Sequence, residues 1–572
     1  MKHPTSTLAC LALACAAIGM GTSWAGDAAT LVLMHGNVWT ENPAQPEAQA
    51  VALAGSRVLA VGSDAQLARY AKGNTRVIDL KGRRVVPGFN DSHVHFLQGG
   101  SALSGVQLGD ADTPAEFSRR IGAYARTLPK GAWIGDGNWD HQRWKPAELP
   151  THQLIDEVTP DNPVMVWRLD GHMVLVNALA MKLAGLDRHT PDVAGGEIVR
   201  DAQGEPTGIL KDEAVGLVAR VIPPPTTEQD DRAMRAALAE AARHGVTSVH
   251  NMAESPEDED GARRMQVFER FLRSGELSVR IYNSTALRRW NDLAELGIQS
   301  GFGDPMLRIG NLKSFADGAL GSTTALMNAP YDNRPDYRGI ANGDLLDPER
   351  MHRDLLGAVR AGLQPSIHAI GDRAIHDVLD LYARIRAEVP GDKTRFRIEH
   401  AQHVDPADFA RFAQLGVVAS MQPYHAIDDG RWAERYIGHE RARSSYAWRS
   451  MLDAGATTLW ESFEPGASLC HGFSATPVFQ LTRHALGVIA LEREFARFEV
   501  RPQPGDLQWA QGSMPTVRGP IHVNWRRTQT ALTLEVSHPP SCRPSIIAPQ
   551  GYVEVSSTRA DGRSEVRFER SA

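Results

Sequence analysis

The sequence is poor in the features that mark several large protein classes. It holds four cysteines and no Cys-x-x-Cys pair, which excludes a zinc ribbon or finger built on thiolates. It has no long basic run and no stripe of arginines among aromatics. With a formal charge of -7 this argues against nucleic acid as a partner. No Gly-x-Gly-x-x-Gly follows an early strand, so the dinucleotide fingerprint is missing. The most apolar stretch near the start, 8–20, is too short to cross a bilayer as a helix, and no stable membrane anchor is expected.

What that stretch does fit is a secretory signal. Lys2 provides the positive start, and Ser23-Trp24-Ala25 has the small-x-small form of a cleavage site before Gly26. The expectation is a signal peptide over 1–25 and a periplasmic or secreted mature chain. Cys10 and Cys15 then leave with the signal, and Cys470 and Cys542 remain; an oxidising compartment would allow them to pair, without requiring it.

At 572 residues the chain is long enough for a large core and more than one domain. Short β-type runs at 31–34, 51–53, 57–61 and 76–80, broken by glycines, predict a small β layer over 26–84. From 114 to about 225 the signal is mixed, with strand-like 133–135 and 163–168. Trp139, Trp144, Trp167 and Met173 fall in this insertion, either as an apolar roof over a site or simply as packed core. Pro223-Pro224-Pro225 closes it, and Thr226 or Thr227 caps the helix that follows.

Beyond that point strand-like and helical runs alternate. Strands are expected at 246–250, 279–283, 307–313, 364–368, 396–400, 417–421 and 457–460. Helices are expected at 262–277, 351–363, 374–389, 406–415 and 446–453. Alternation of this kind predicts a parallel sheet. With Val85-Val86 as a first strand there are eight candidates, enough for a (β/α)8 barrel over 85–455 that closes with 457–460; an open doubly wound sheet is the alternative. The acidic run Glu257-Asp258-Glu259-Asp260 reads as a solvated loop before a helix.

The chemistry gathers at the strand ends. In Pro87-Gly88-Phe89-Asn90-Asp91-Ser92-His93-Val94-His95, two histidines stand two residues apart, so an extended backbone turns both to one face. Lys313 ends the expected fourth strand, His368 the fifth and His400 the sixth. In a (β/α)8 barrel, active sites lie at the C-terminal ends of the strands, so all five would share one mouth. Imidazoles suit a divalent cation such as zinc, and a carbamylated lysine adds an anionic oxygen. Taken singly, each of these residues is equally an ordinary core histidine or strand-end lysine. His250, ending the second strand, reads as structural.

These residues resemble the amidohydrolase superfamily, in its amidohydrolase family 3 branch, over about 31–456. The resemblance rests on the Pro87–His95 motif, Asp170-Gly171-His172, Lys313 through Asp317-Gly318 and His368-Ala369-Ile370-Gly371-Asp372. It also rests on Arg397-Ile398-Glu399-His400, Gln422-Pro423 with His425, and Arg449-Ser450-Met451-Leu452-Asp453-Ala454-Gly455. It implies a (β/α)8 barrel with a β-sandwich that hydrolyses a C–N bond of a small amide-type substrate. It further implies His93, His95, His368 and His400 as metal ligands, Lys313 as the bridging lysine and His172 as a residue over the site. One or two divalent ions, zinc first among them, are the implied cofactor.

The family pattern stops near Ala454. The family closes its site with Gly-Ser-Asp on strand eight; in ungapped register Ser462 takes the serine position and Phe463 the position of the aspartate. From about 456 to 539 the sequence resembles bacterial α-L-rhamnosidases instead. The matching segments are Gly455-Ala456-Thr457-Thr458-Leu459-Trp460-Glu461, Ser468-Leu469-Cys470-His471-Gly472-Phe473-Ser474, Gly505-Asp506-Leu507-Gln508-Trp509-Ala510 and Gly519-Pro520-Ile521-His522-Val523-Asn524-Trp525. This implies a helix over 474–488 and an antiparallel β tail in a segment 456–572, and it makes Glu461 the match to a glycosidase general base. Glycoside hydrolysis needs a second carboxyl across the sugar, and the part that would carry it is missing upstream. The chain reads as a fusion. On a strand Glu461 shares a face with Phe463, so it either stands in for the lost aspartate or is an inherited glycosidase residue without a partner.

Overall fold

The computed structural model describes residues 28–571 apart from 43, 255–259, 456, 459–484, 492–494, 506, 515, 517 and 561. The signal-like segment, Glu461, Phe463, Cys470 and most of the helix expected over 474–488 lie outside the described residues. Val488, expected to end that helix, instead starts a strand, Val488–Ala490. Cys542 is buried. Among the described residues no helix is long and apolar enough to cross a membrane.

The chain divides into two compact units between Gly88 and Phe89. In the first, Leu31–Met34 pairs antiparallel with Ala50–Ala54 and parallel with Arg76–Asp79, and Arg57–Gly62 completes a four-stranded sheet. Alternate residues Val32 and Met34 turn inward onto Ala50, Ala52 and Leu67, the period-two burial of a sheet with one wet face. A second sheet joins Glu47–Ala48, Asn37–Trp39 and Arg84–Val85. This corrects the reading of Val85-Val86 as the first barrel strand: Val85 pairs with Val38. Pro87 brings no N–H for a ladder, and the Pro-Gly step separates this strand from the next.

The second unit begins with the first strand of a parallel sheet. Its strands are β1 (Phe89–Val94), β2 (Val246–Asn251), β3 (Arg280–Ala286), β4 (Leu307–Phe315), β5 (Pro365–Ala369), β6 (Phe396–His400), β7 (Val417–Ser420) and β8 (Thr457–Thr458). They pair in sequence order, each parallel to the next. The sheet is curled rather than flat. Arg397 on β6 reaches across to the Ser92 carbonyl on β1 at 3.1 Å and to His250 Nδ1 on β2 at 2.9 Å.

Helices return the chain between strands, and their termini follow local chemistry. Thr226 caps Thr227–Arg243 through a capping box with Gln229, and Asp347 caps Pro348–Arg360 with proline in its first turn. Leu355, Val359, Val378 and Tyr382 from two such helices pack on Ile367 and Ile398 of the sheet. Each fully buried side chain of this size contributes about 1.5–3 kcal/mol.

The insertion builds its own five-stranded sheet, in the order Gly196–Arg200, Pro206–Asp212, Met173–Val176, Met165–Arg168, Gly137–Trp139. The expected strand at 133–135 reduces to a single bridge from Ile134 to Val164. Trp139 and Trp144 stack at 6.4 Å inside the insertion's core with Phe117, Met173 and Val166. They are packing residues, and of the four roof candidates only Trp167 lines the cavity described below.

The C-terminal segment forms a five-stranded antiparallel sheet and a three-stranded sheet that share one apolar core. The tail is not wholly antiparallel: Arg497–Val500 runs parallel to Arg543–Ile546.

Candidate active site at the strand ends

The ends of β1, β4, β5 and β6 open into a cavity of about 840 Å³. His93, His95, His172, Lys313, His368 and His400 all line it. Five imidazoles form a continuous chain of ring contacts: His95 to His93 at 5.7 Å, His93 to His400 at 4.6 Å, His400 to His368 at 4.6 Å, and His368 to His172 at 4.8 Å between centroids.

Each ring is held by its own element. His93 lies on β1 and His95 one residue beyond the strand, at the start of the helix Phe96–Ser104. His93 Nδ1 meets Glu399 Oε2 at 2.8 Å. Glu399 is fully buried, and it also takes the Ser366 hydroxyl and Arg397 Nη2, the latter at 3.1 Å. Burial alone would raise the Glu399 pKa, but Arg397 and the His93 hydrogen bond outweigh it and hold the carboxyl well below its ordinary value. His400 ends β6 in the left-handed region, at φ 73°, and its Nδ1 meets Gln422 Oε1 at 2.7 Å. A non-glycine residue held there costs roughly 1–3 kcal/mol, strain of a kind that gathers at functional sites.

On β5, His368 Nε2 lies 3.1 Å from the Gly318 carbonyl and 3.6 Å from Asp317 Oδ1. The Asp317 carboxylate accepts the backbone N–H groups of Leu326, Ile370 and Gly371 at 2.8–2.9 Å, while burial pushes its pKa to about 7. Lys313 does not end β4, as its sequence position suggested. The strand runs two residues further, to Phe315, and the Lys313 ammonium stands 4.6 Å over the Phe315 ring. Lys313 is 1% exposed, and burial brings its pKa down to about 8.

His250 belongs to the barrel interior, between Arg397 and the Tyr282 ring at 5.0 Å, with burial lowering its pKa to about 3. Glu461 lies outside the described residues. Sequence reasoning gave no role to Glu399, Arg397, Asp212 or His425, although His425 stacks on His400 at 5.6 Å. The Arg-x-Glu pair alternating with Phe396 and Ile398 on β6 was the available signal, because two opposite charges two residues apart on a strand share one face and can be buried together.

The donor set fits a divalent cation by its chemistry. Burial holds His95, His368 and His400 well below the usual imidazole pKa, so their lone pairs are free. His95 Nδ1 is buried without a hydrogen-bond partner. As the side chains stand, no group of three or more His, Cys, Asp or Glu residues among the described residues is arranged to hold a metal ion.

A parallel (β/α)8-type sheet with imidazoles and a buried lysine gathered at one mouth defines the class of barrel proteins whose active sites lie at the C-terminal strand ends. The sequence profile of the amidohydrolase family matches residues 76–475, and the chain belongs to that family. A second profile, the bacterial alpha-L-rhamnosidase C-terminal domain, matches residues 487–563. Protein LONG AFTER FAR-RED 3 of Arabidopsis thaliana is 36% identical over 451 residues, covering 78% of this chain and 77% of that protein. N-substituted formamide deformylase of Arthrobacter pascens is 28% identical over 451 residues, covering 76% of this chain and 80% of that enzyme. An uncharacterized metal-dependent hydrolase from Pyrococcus furiosus superposes with a TM-score of 0.58 at 25% identity, covering 79% of this chain and 88% of that one.

Proposed function

We propose that this chain hydrolyses an amide-type C–N bond of a small molecule with a divalent metal, zinc first among the candidates. The observation that carries the reading is the chain of four imidazoles, His95, His93, His400 and His368, at the mouth of a parallel barrel. These four would hold the metal, and Lys313, carbamylated, would add an anionic oxygen. The bound ion supplies Lewis-acid polarisation of the amide carbonyl and makes water more acidic.

The protein's own residues prepare the site. Glu399 accepts the His93 Nδ1 proton, which leaves Nε2 as the donor atom; Gln422 fixes the His400 ring in the same way. Trp167 and Trp432 supply apolar wall. The signal-like N-terminus supports a periplasmic or secreted location for this activity.

Phe463 in the register of the family's aspartate implies a slower enzyme, because loss of a general base costs about 10²–10⁴ in rate. Glu461 is the carboxylate that would stand in. A second reading, a catalytically silent fusion, rests on the phenylalanine, Phe463, that stands in the register of the family's aspartate.

The test is amine release from a panel of amides, N-substituted formamides included, by the mature protein with and without added zinc. Zinc-dependent release, abolished in His93→Ala and His368→Ala and reduced in Glu461→Ala, supports the proposal. Zinc-loaded protein that cleaves no amide overturns it in favour of the silent fusion.

A further inference from the structure

The last residue of the insertion strand Pro206–Asp212 is held in an unusual way. Asp212 has φ 46° and ψ -126°, a backbone region that glycine occupies freely and an L side chain strains to enter. Its carboxylate is fully buried, yet Oδ2 has no hydrogen-bond partner. A buried acceptor left half satisfied on a strained backbone is a cost that the fold would shed if nothing required it.

The partners of the other oxygen show what requires it. Asp212 Oδ1 meets His172 Nδ1 at 2.7 Å and Asn342 Nδ2 at 3.2 Å. The Asp212 N–H also donates to the His172 carbonyl at 3.2 Å, so backbone and side chain tie the same two residues together. Asn342 in turn is tied to the residue just past β4, its N–H donating to the Ala316 carbonyl at 2.9 Å. Gly318 leaves room for two neighbours: a Cβ there would overlap Thr324 Oγ1 and lie 2.8 Å from Asp212 Oδ1. Asp212 is thus the junction at which the insertion and the β4 end both grip the His172 ring.

We propose that Asp212 is a positioning residue for His172. It binds the Nδ1 side of the ring, so that Nε2 is the nitrogen left to face the cavity and hydrogen-bond the substrate's amide group. The backbone strain is retained because glycine, which would relieve it, has no carboxylate. The substrate contact rests on the amide-hydrolase reading above; the hold on the ring does not.

Three variants separate the parts. Asp212→Gly removes carboxylate and strain, Asp212→Ala removes the carboxylate and keeps the strain, and Asp212→Asn keeps an acceptor. The carboxylate-bound ring proton should appear as a downfield ¹H resonance, assigned by its loss in His172→Ala. It should vanish in the Gly and Ala variants and persist, moved upfield, in Asp212→Asn. Asp212→Gly should unfold at a higher temperature than Asp212→Ala, the reverse of the ordinary effect of glycine on the unfolded chain.

On N-butylformamide, kcat/KM should fall about 10–100-fold in the Gly and Ala variants, with Asp212→Asn recovering most of the loss. A ring proton that survives in Asp212→Gly, or an Ala variant at least as stable as the Gly variant, overturns the proposal. If the wild-type protein leaves N-butylformamide intact, the amide-hydrolase reading loses this support. The ring proton and the stability order then decide the role of Asp212 on their own.

Discussion

The barrel and the C-terminal sandwich are cores of opposite character within one chain. The sandwich is filled by Phe498, Ile521, Val523, Trp525, Leu534 and Phe568, with Ser564 the buried polar residue among the described ones there. The barrel interior instead buries Lys313, Arg397, Glu399, Asp317, His368 and His400. Burying charge is expensive, and a core made for stability alone is better filled with hydrocarbon. The contrast therefore separates a region shaped by packing from one shaped by chemistry, and it does so without reference to any relative.

Substitutions that treat the two cores alike should give opposite results. The largest effect is expected from Glu399→Ala, which leaves the buried Arg397 without its carboxylate partner. It should cost about 3–5 kcal/mol in denaturant unfolding and weaken zinc affinity about 10–100-fold by freeing His93. Phe568→Ala should cost a similar 3–5 kcal/mol, yet leave the zinc content of the folded protein unchanged. The double variant Arg397→Met/Glu399→Leu sharpens the contrast. Its folding stability should equal or exceed wild type by up to about 4 kcal/mol, while zinc affinity stays low. If zinc binding recovers along with stability, the buried pair is structural and the comparison fails. The smallest effect is expected at the barrel's outer layer, where Asp347→Ala removes a helix cap for about 1 kcal/mol and should alter neither zinc affinity nor amide cleavage.

How much of this was legible in the sequence depended on which period the local pattern obeyed. Phe396–His400 and Leu31–Met34 appear in the fold with the bounds their β-branched and aromatic residues suggested. β1 was placed too early, on Val85-Val86, because the true strand, Phe89–Val94, carries Asn90, Asp91, Ser92 and His93 along its middle. A strand whose inner face serves a site lacks the apolar alternation by which strands are recognised. The insertion sheet was largely missed for another reason: its strands Met173–Val176 and Pro206–Asp212 are buried short runs, and periodicity does not distinguish such runs from helix.

The site followed the same division. His93, His95, Lys313, His368 and His400 were visible because all five recur at or near the ends of expected strands, and the fold brings them to one cavity. The residues that hold them were not, since Glu399 under His93 and Asp212 under His172 lie 306 and 40 positions away in sequence.

The central claim is that the imidazoles at the barrel mouth form a metal site. Elemental mass spectrometry of the purified protein, beside His93→Ala and His368→Ala, tests it most directly. The account predicts about one or two divalent ions per chain, lost in both variants while the C-terminal core keeps its fold. An intact chain that carries no metal, even after incubation with zinc, would contradict it.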